Sequence, residues 1–195
     1  MEVLATGLEV PWDIAFLPDG RALVTERPGR VRIFNKGRLD PKPALTLDDC
    51  WKQPAENGLM GMCPHPDFAK NHYVYLAYGH KGEDRDIRVV RYVEQAGVLE
   101  EPVVILKDLP AGGNHAGCRV RFGPDGKLYV TAGEMFKKEL AQDLKSLGGK
   151  ILRLNDDGTI PADNPFNNDD GKKAGARPEI WSFGNRNPQG IDWNA

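Results

Sequence analysis

The chain has 195 residues, among them 22 Gly and 15 Pro, so about one residue in five is a backbone punctuator against about one in eight in an average domain. Hydrophobic residues make up 40%, enough for a packed core in one domain or part of a larger one. Lys and Arg number 26 against 28 Asp and Glu, a net charge of −2, with neither sign in a long block; this argues against a nucleic-acid binder and a polybasic membrane-surface protein.

Residues 1–7 carry no basic stretch followed by a long apolar run, so no signal peptide is expected. No stretch approaches the roughly 18 apolar residues of a membrane span. Residues 14–17 read as a strand running into Pro18-Asp19-Gly20 and then a second strand over 22–25. A turn at Pro28-Gly29-Arg30 leads into an alternating strand over 31–34. The same phrase returns at residues 61–67 followed by 73–78, and again at 119–126 followed by 128–131. Each copy predicts a hairpin, because Pro sets φ and Asp caps its own turn. Pro18 and Pro66 are 48 residues apart, and Pro66 and Pro124 are 58 apart, close to the roughly 40–50 of propeller blades with loop insertions.

Residues 87–92 and 151–154 are predicted as outer strands, the first as a solvated edge because it alternates and is charged. Only residues 137–147 have helical composition, and Gly148-Gly149 would stop that helix. A βαβ fold needs more helix than this, which leaves an all-β propeller. Residues 190–195 read as a strand entering a fourth hairpin. Residues 1–195 are therefore expected to form the N-terminal part of a single, longer propeller domain.

Cys50, Cys63 and Cys118 are widely spaced and include no Cys-x-x-Cys pair, so neither zinc nor a disulfide framework is expected. Cys63 and Cys118 read as small core residues in strands. The Asp/Asn clusters at 155–157 and 164–170 lack the EF-hand spacing and read as turns and a solvated loop. His65 and His72 read as hairpin residues rather than ligands.

His115 sits in Gly112-Gly113-Asn114-His115-Ala116-Gly117, where a turn residue is the plain reading and a catalytic base the sharper one. Glu134 closes the third hairpin, either as a solvated strand end or as a carboxylate holding a base. Both flank the same inner strand, so the hairpin is expected to return Glu134 to His115, within hydrogen-bond reach directly or through one water.

Several phrases, in order, resemble one family. They are Leu8-Glu9-Val10-Pro11-Trp12-Asp13 running to Pro18-Asp19-Gly20, Asn57-Gly58-Leu59-Met60-Gly61 with His65-Pro66-Asp67-Phe68, and Gly149-Lys150-Ile151-Leu152-Arg153-Leu154 running to Asn164-Pro165-Phe166. The most distinctive is Gly184-Asn185-Arg186-Asn187-Pro188-Gln189-Gly190. The chain thereby resembles the soluble aldose sugar dehydrogenases that depend on pyrroloquinoline quinone (PQQ), the glucose/sorbosone dehydrogenase family, over nearly its whole length.

The resemblance implies a six-bladed β-propeller with PQQ and calcium at the mouth of its channel, about three blades being present here. It implies oxidation of the anomeric hydroxyl of an aldose to a lactone. His115 would be the general base, four residues before a matching Arg119, and Glu134, where the family often has Asp, would hold it. Arg186 and Asn187 would contact the quinone. Glu56 and Asn57 fall where related enzymes place a polar sugar contact, often Gln. Cys118 stands where Gly is usual and is expected to crowd the loop. No metal ligand is expected in this chain; the calcium ligands, further PQQ-binding basic residues and an aromatic sugar platform are expected beyond residue 195. The partners implied are an aldose and an electron acceptor, and the location periplasmic or secreted. The chain alone is expected to be inactive and to self-associate through open blade faces. The rival readings are a calcium-dependent sugar lactonase of propeller fold and a non-catalytic binding propeller; the His115–Glu134 pair favours the dehydrogenase.

Overall fold

The structure, a computed structural model, describes residues 3–194. Its Pro-Asp turns close as their chemistry requires: Gly20 N–H donates to Leu17 O at 3.0 Å and Asp19 Oδ1 accepts from Arg21 N–H at 3.0 Å. Asp125 does the same for Lys127 N–H at 3.1 Å. The second copy departs from this pattern, because a short helix α1 (Phe68–Asn71) is inserted after Pro66-Asp67.

These hairpins build three antiparallel sheets. The first holds β1 (Pro11–Phe16), β2 (Ala22–Glu26), β3 (Arg30–Asn35), β4 (Arg38–Leu39) and, paired with β3, β5 (Leu45–Thr46). The second runs β6 (Leu59–Pro64), β7 (Tyr73–His80), β8 (Asp86–Gln95) and β9 (Val98–Pro110) in order. The third runs β10 (Val120–Phe122), β11 (Leu128–Ala132), β12 (Lys150–Leu154) and β13 (Ile180–Phe183). Each is a meander stacked on the next, the arrangement of propeller blades.

The middle sheet is buried on both faces, with side chains alternating as a strand requires. From β7, Val74, Leu76 and Tyr78 pack with Leu23, Val31 and Ile33 of the first sheet. Tyr75 and Ala77 point the other way, into a core with Val120, Leu128, Val130 and Leu152 of the third. The innermost strands β1, β6 and β10 lie side by side and are tied by Asp13, which accepts from Met62 N–H and from Arg121 at 3.0 Å each.

Five sequence expectations are corrected. β8 is no edge strand: Ala96 and Gly97, at φ 50° and 87°, turn the chain back into β9. β9 takes the edge, and its Pro102 and paired Glu100 and Glu101 suit a strand with one unpaired side. Residues 137–147 form only a 3-10 turn at Lys138–Ala141, because Lys150 Nζ gathers the carbonyls of Leu140, Ala141 and Gly148 into a compact loop. The 164–170 cluster is not simply solvated. Asn164 is buried and bonds Arg153 and Pro178, while Asn168 caps α2 (Asp169–Ala174). Cys118 is buried but lies just before β10, outside any strand. Residues 190–194 form no strand, since their backbone has no ladder to join, and residue 195 lies outside the described residues. Cys50, Cys63 and Cys118 are all free thiols, and no helix of the described residues is long and apolar enough to cross a membrane.

Candidate active site

Strand direction gathers the candidate residues at one end of the sheets. β10 pairs with β11 through Val120–Val130, and β11 with β12 through Ala132–Lys150. β12 in turn pairs with β13 through Lys150–Phe183. The loops before β10, after β11, before β12 and after β13 therefore meet at the same edge. These loops carry His115, Glu134, Gly149 and Arg186-Asn187. Glu56, on the loop before β6, reaches the same place.

His115 and Glu134 are both buried, at 5% and 3% exposure, and His115 Nδ1 is hydrogen bonded to Glu134 Oε1. Glu therefore spans the gap despite being one methylene longer than Asp. A carboxylate on Nδ1 places the ring proton there and leaves Nε2 as the free acceptor. The approach depends on Gly133, because a Cβ there would lie 1.8 Å from His115 O. His115 itself has φ 52°, a left-handed conformation unusual outside glycine. Glu134 N–H donates to Arg186 O at 3.0 Å, tying the His115–Glu134 pair to the loop after β13.

Arg186 is exposed, and its guanidinium pairs with no carboxylate among the described residues; it lies 6.0 Å from the Phe136 ring centre. Asn187 accepts from Gly117 N–H at 3.1 Å. Glu56 accepts from Ala116 N–H at 3.0 Å and from Asn187 Nδ2 at 3.2 Å. Beside this group lies a cavity of about 460 Å³ lined by Glu134, Phe136, Lys138, Glu139, Gln142 and Arg186 among others. Arg119 turns away from it, pairing with Asp13 at 2.7 Å and donating to Gln189 O at 3.2 Å.

One candidate does not join the cluster. Asn57 is fully buried, and both of its carboxamide atoms lie without a hydrogen-bond partner against Gly79. It offers nothing to a sugar, so the expected contact at that position fails on access. Cys118 does not crowd the loop, because its side chain enters the core between the second and third sheets. There burial pushes its thiol up to about 12.

Two residues of the site carry no clear sequence signal. The Phe136 ring centre lies 3.9 Å from that of His115, a contact made possible by positive φ at Met135 and Phe136 (55° and 60°). Thr131 accepts from Arg119 N–H at 2.8 Å and donates to Pro188 O at 2.7 Å, joining three segments of the site. Among the described residues no group of three or more His, Cys, Asp or Glu side chains is arranged to hold a metal.

A glucose/sorbosone dehydrogenase family profile matches residues 8–195. Aldose sugar dehydrogenase YliI of Escherichia coli is 37% identical over 201 residues, covering 100% of this chain and 53% of that protein. A putative oxidoreductase (glucose dehydrogenase) of Thermus thermophilus superposes with TM-score 0.91 at 46% identity, over 99% of this chain and 57% of that one. The PQQ-bound aldose sugar dehydrogenase of Streptomyces coelicolor gives TM-score 0.84 at 34% identity, over 96% and 54%. The chain thus spans about half the length of these relatives. With the three stacked antiparallel sheets and the ordered motifs, these matches establish that the chain belongs to the glucose/sorbosone dehydrogenase family.

Proposed function

We propose that this chain carries the base-bearing part of a PQQ-dependent aldose dehydrogenase that oxidises the anomeric C1 hydroxyl to a lactone. The observation that supports this most is the buried His115–Glu134 pair beside an unpaired Arg186 guanidinium. In the cavity, which Glu134 and Glu139 also line, Arg186 and Lys138 are the cationic groups that a planar quinone with three carboxylates would meet, and Glu134 is taken up by His115. Arg186 and Asn187 would hold the quinone. When bound, PQQ supplies the hydride acceptor. Calcium is expected from the family.

His115 Nε2 takes the anomeric hydroxyl proton as the C1–H bond breaks and its hydride departs, leaving the lactone carbonyl. Glu134 fixes the imidazole and stabilises the imidazolium that forms. Arg186 would offer its guanidinium to the group that accepts the hydride and stabilise the negative charge developing there. Phe136 covers one face of the imidazole and limits its access to water. The partners are an aldose and an electron acceptor, the location is periplasmic or secreted, and the complete ring has six blades.

The test is His115→Ala in the protein extended to the length of its relatives, assayed by dye reduction with PQQ, calcium and glucose. kcat is expected to fall about 10²-fold or more, as for loss of a general base. A kcat within about threefold of the parent, under ~1 kcal/mol of barrier, would remove His115 from the role. A parent that hydrolyses a sugar lactone and reduces no dye would turn the assignment to a lactonase.

A further inference from the structure

Glu56 emerges from the loop before β6 and bonds two loops to which it does not belong. Its carboxylate accepts from Ala116 N–H at 3.0 Å, from Asn187 Nδ2 at 3.2 Å on each oxygen, and from Gln189 Nε2 at 3.3 Å. Its own N–H donates to Gly113 O at 2.9 Å. From the other side, Arg27 grips the loop through the carbonyls of Gln53, Pro54 and Ala55. Every group facing the Glu56 carboxylate in these bonds is a donor, so the position calls for an acceptor-only side chain.

The polarity of this node is fixed by a further bond. Asn187 cannot rotate to offer its oxygen to position 56, because Oδ1 already accepts from Gly117 N–H at 3.1 Å. A carboxylate has about four acceptor sites and no hydrogen; a carboxamide would turn an NH2 group toward donors on one side or the other. A Gln at position 56 would not complete this arrangement.

We propose that Glu56 is a positioning residue rather than a sugar contact: its carboxylate clamps the His115 loop, through Ala116, to the Arg186-Asn187 loop, through Asn187. The base and the cofactor-facing pair are thereby held in one register by a residue of the neighbouring blade. The catalytic consequence rests on the dehydrogenase reading above; the clamp itself does not.

The polarity argument yields a reciprocal test. Glu56→Gln sets an NH2 group against donors. Adding Asn187→Asp restores complementarity. One oxygen of the new carboxylate accepts from Gly117 N–H and the other from the NH2 group of the introduced carboxamide, whose own oxygen accepts from Ala116 N–H. Hydrogen-exchange mass spectrometry without sugar or cofactor reads peptides carrying Ala116 and Gly117, with a β7 peptide reporting global unfolding. Glu56→Gln is expected to speed exchange at 116–117 about tenfold or more, the factor that ~1.4 kcal/mol carries. The double variant is expected to return within about threefold of the parent, a coupling of the kind neighbouring partners show.

Exchange in Glu56→Gln within about twofold of the parent would overturn the clamp, as would a double variant no better protected than Glu56→Gln. If Glu56→Gln unfolds, Asn187→Asp alone decides: it sets two carboxylates face to face, and the double variant must be better protected than it. In the PQQ-loaded protein, a clamp lowers kcat in Glu56→Gln, whereas a sugar contact raises KM with kcat unchanged. Failure of the dehydrogenase reading would remove that last readout and leave the exchange result standing.

Discussion

Asp13 is the side chain whose loss is expected to damage this arc most. Its carboxylate is 4% exposed and holds Met62 N–H at 3.0 Å, Arg121 at 3.0 Å on both oxygens and Arg119 at 2.7 Å. Burial on its own would push the carboxyl up. The Arg121 hydrogen bond, the Met62 N–H and the charges of Arg121 and Arg119 outweigh that and hold it below the usual carboxylate range. Asp13→Asn keeps the volume and removes the charge, leaving two guanidiniums facing a neutral amide. Breaking a fully buried pair costs about 3–5 kcal/mol. Here Arg119 and Arg121 keep 19% and 31% of their side-chain surface in water, whose screening brings the expected loss to about 2–3 kcal/mol. That is a large part of the roughly 5–15 kcal/mol that holds a domain together. Urea unfolding followed by far-ultraviolet circular dichroism, at matched protein concentration, measures it. A carboxyl depressed in the folded state contributes stability above its unfolded value near about 4 and loses it as pH falls through the folded value. The gap between parent and Asp13→Asn is therefore full at neutral pH and closes below about pH 4. A loss under ~1 kcal/mol at pH 7, or a gap that widens on acidification, would refute the reasoning. The effect reaches the site because Asp13 joins the strands that follow Glu56 and His115 in the chain.

Glu134→Gln is expected to lower kcat about 10- to 10²-fold in the dye assay, since the amide still accepts from Nδ1–H but a hydrogen bond to a charged group is worth about 1.5–3 kcal/mol; a kcat within about twofold would take Glu134 out of the mechanism. The 195-residue chain alone is expected to self-associate and to oxidise no sugar. Its outer sheets expose Ile14 and Phe16 (50% and 74%) on one side and Trp181 and Phe183 (41% and 45%) on the other, and apolar patches of this kind find partners. Light scattering after size exclusion checks it, and a monodisperse monomer at micromolar concentration would contradict it.

The repeated Pro-Asp hairpins were legible because their signal is local: proline restricts φ, aspartate closes its own turn, and the apolar strands on either side alternate. The same locality made the His115–Glu134 meeting readable, since one short hairpin separates them and its register returns the chain to its start. The outer strands were harder to place. Tertiary pairing makes β8 an interior strand and β9 the edge, and no dipeptide in residues 98–110 announces a thirteen-residue strand. What Asn57 and Glu56 do was not decided by their positions either. They are adjacent in sequence, yet the backbone buries one against Gly79 and hands the other four donor contacts from two distant loops. Motif and spacing specify which loops come to one end of a propeller. Which atoms then meet depends on the left-handed backbone at His115, Met135 and Phe136 and on the missing Cβ of Gly133. Those conformations meet contacts between loops that are distant in sequence, His115 with Glu134 and Phe136 and Glu134 with Arg186, and the strain of a left-handed residue is tolerated only where surrounding contacts over-determine it.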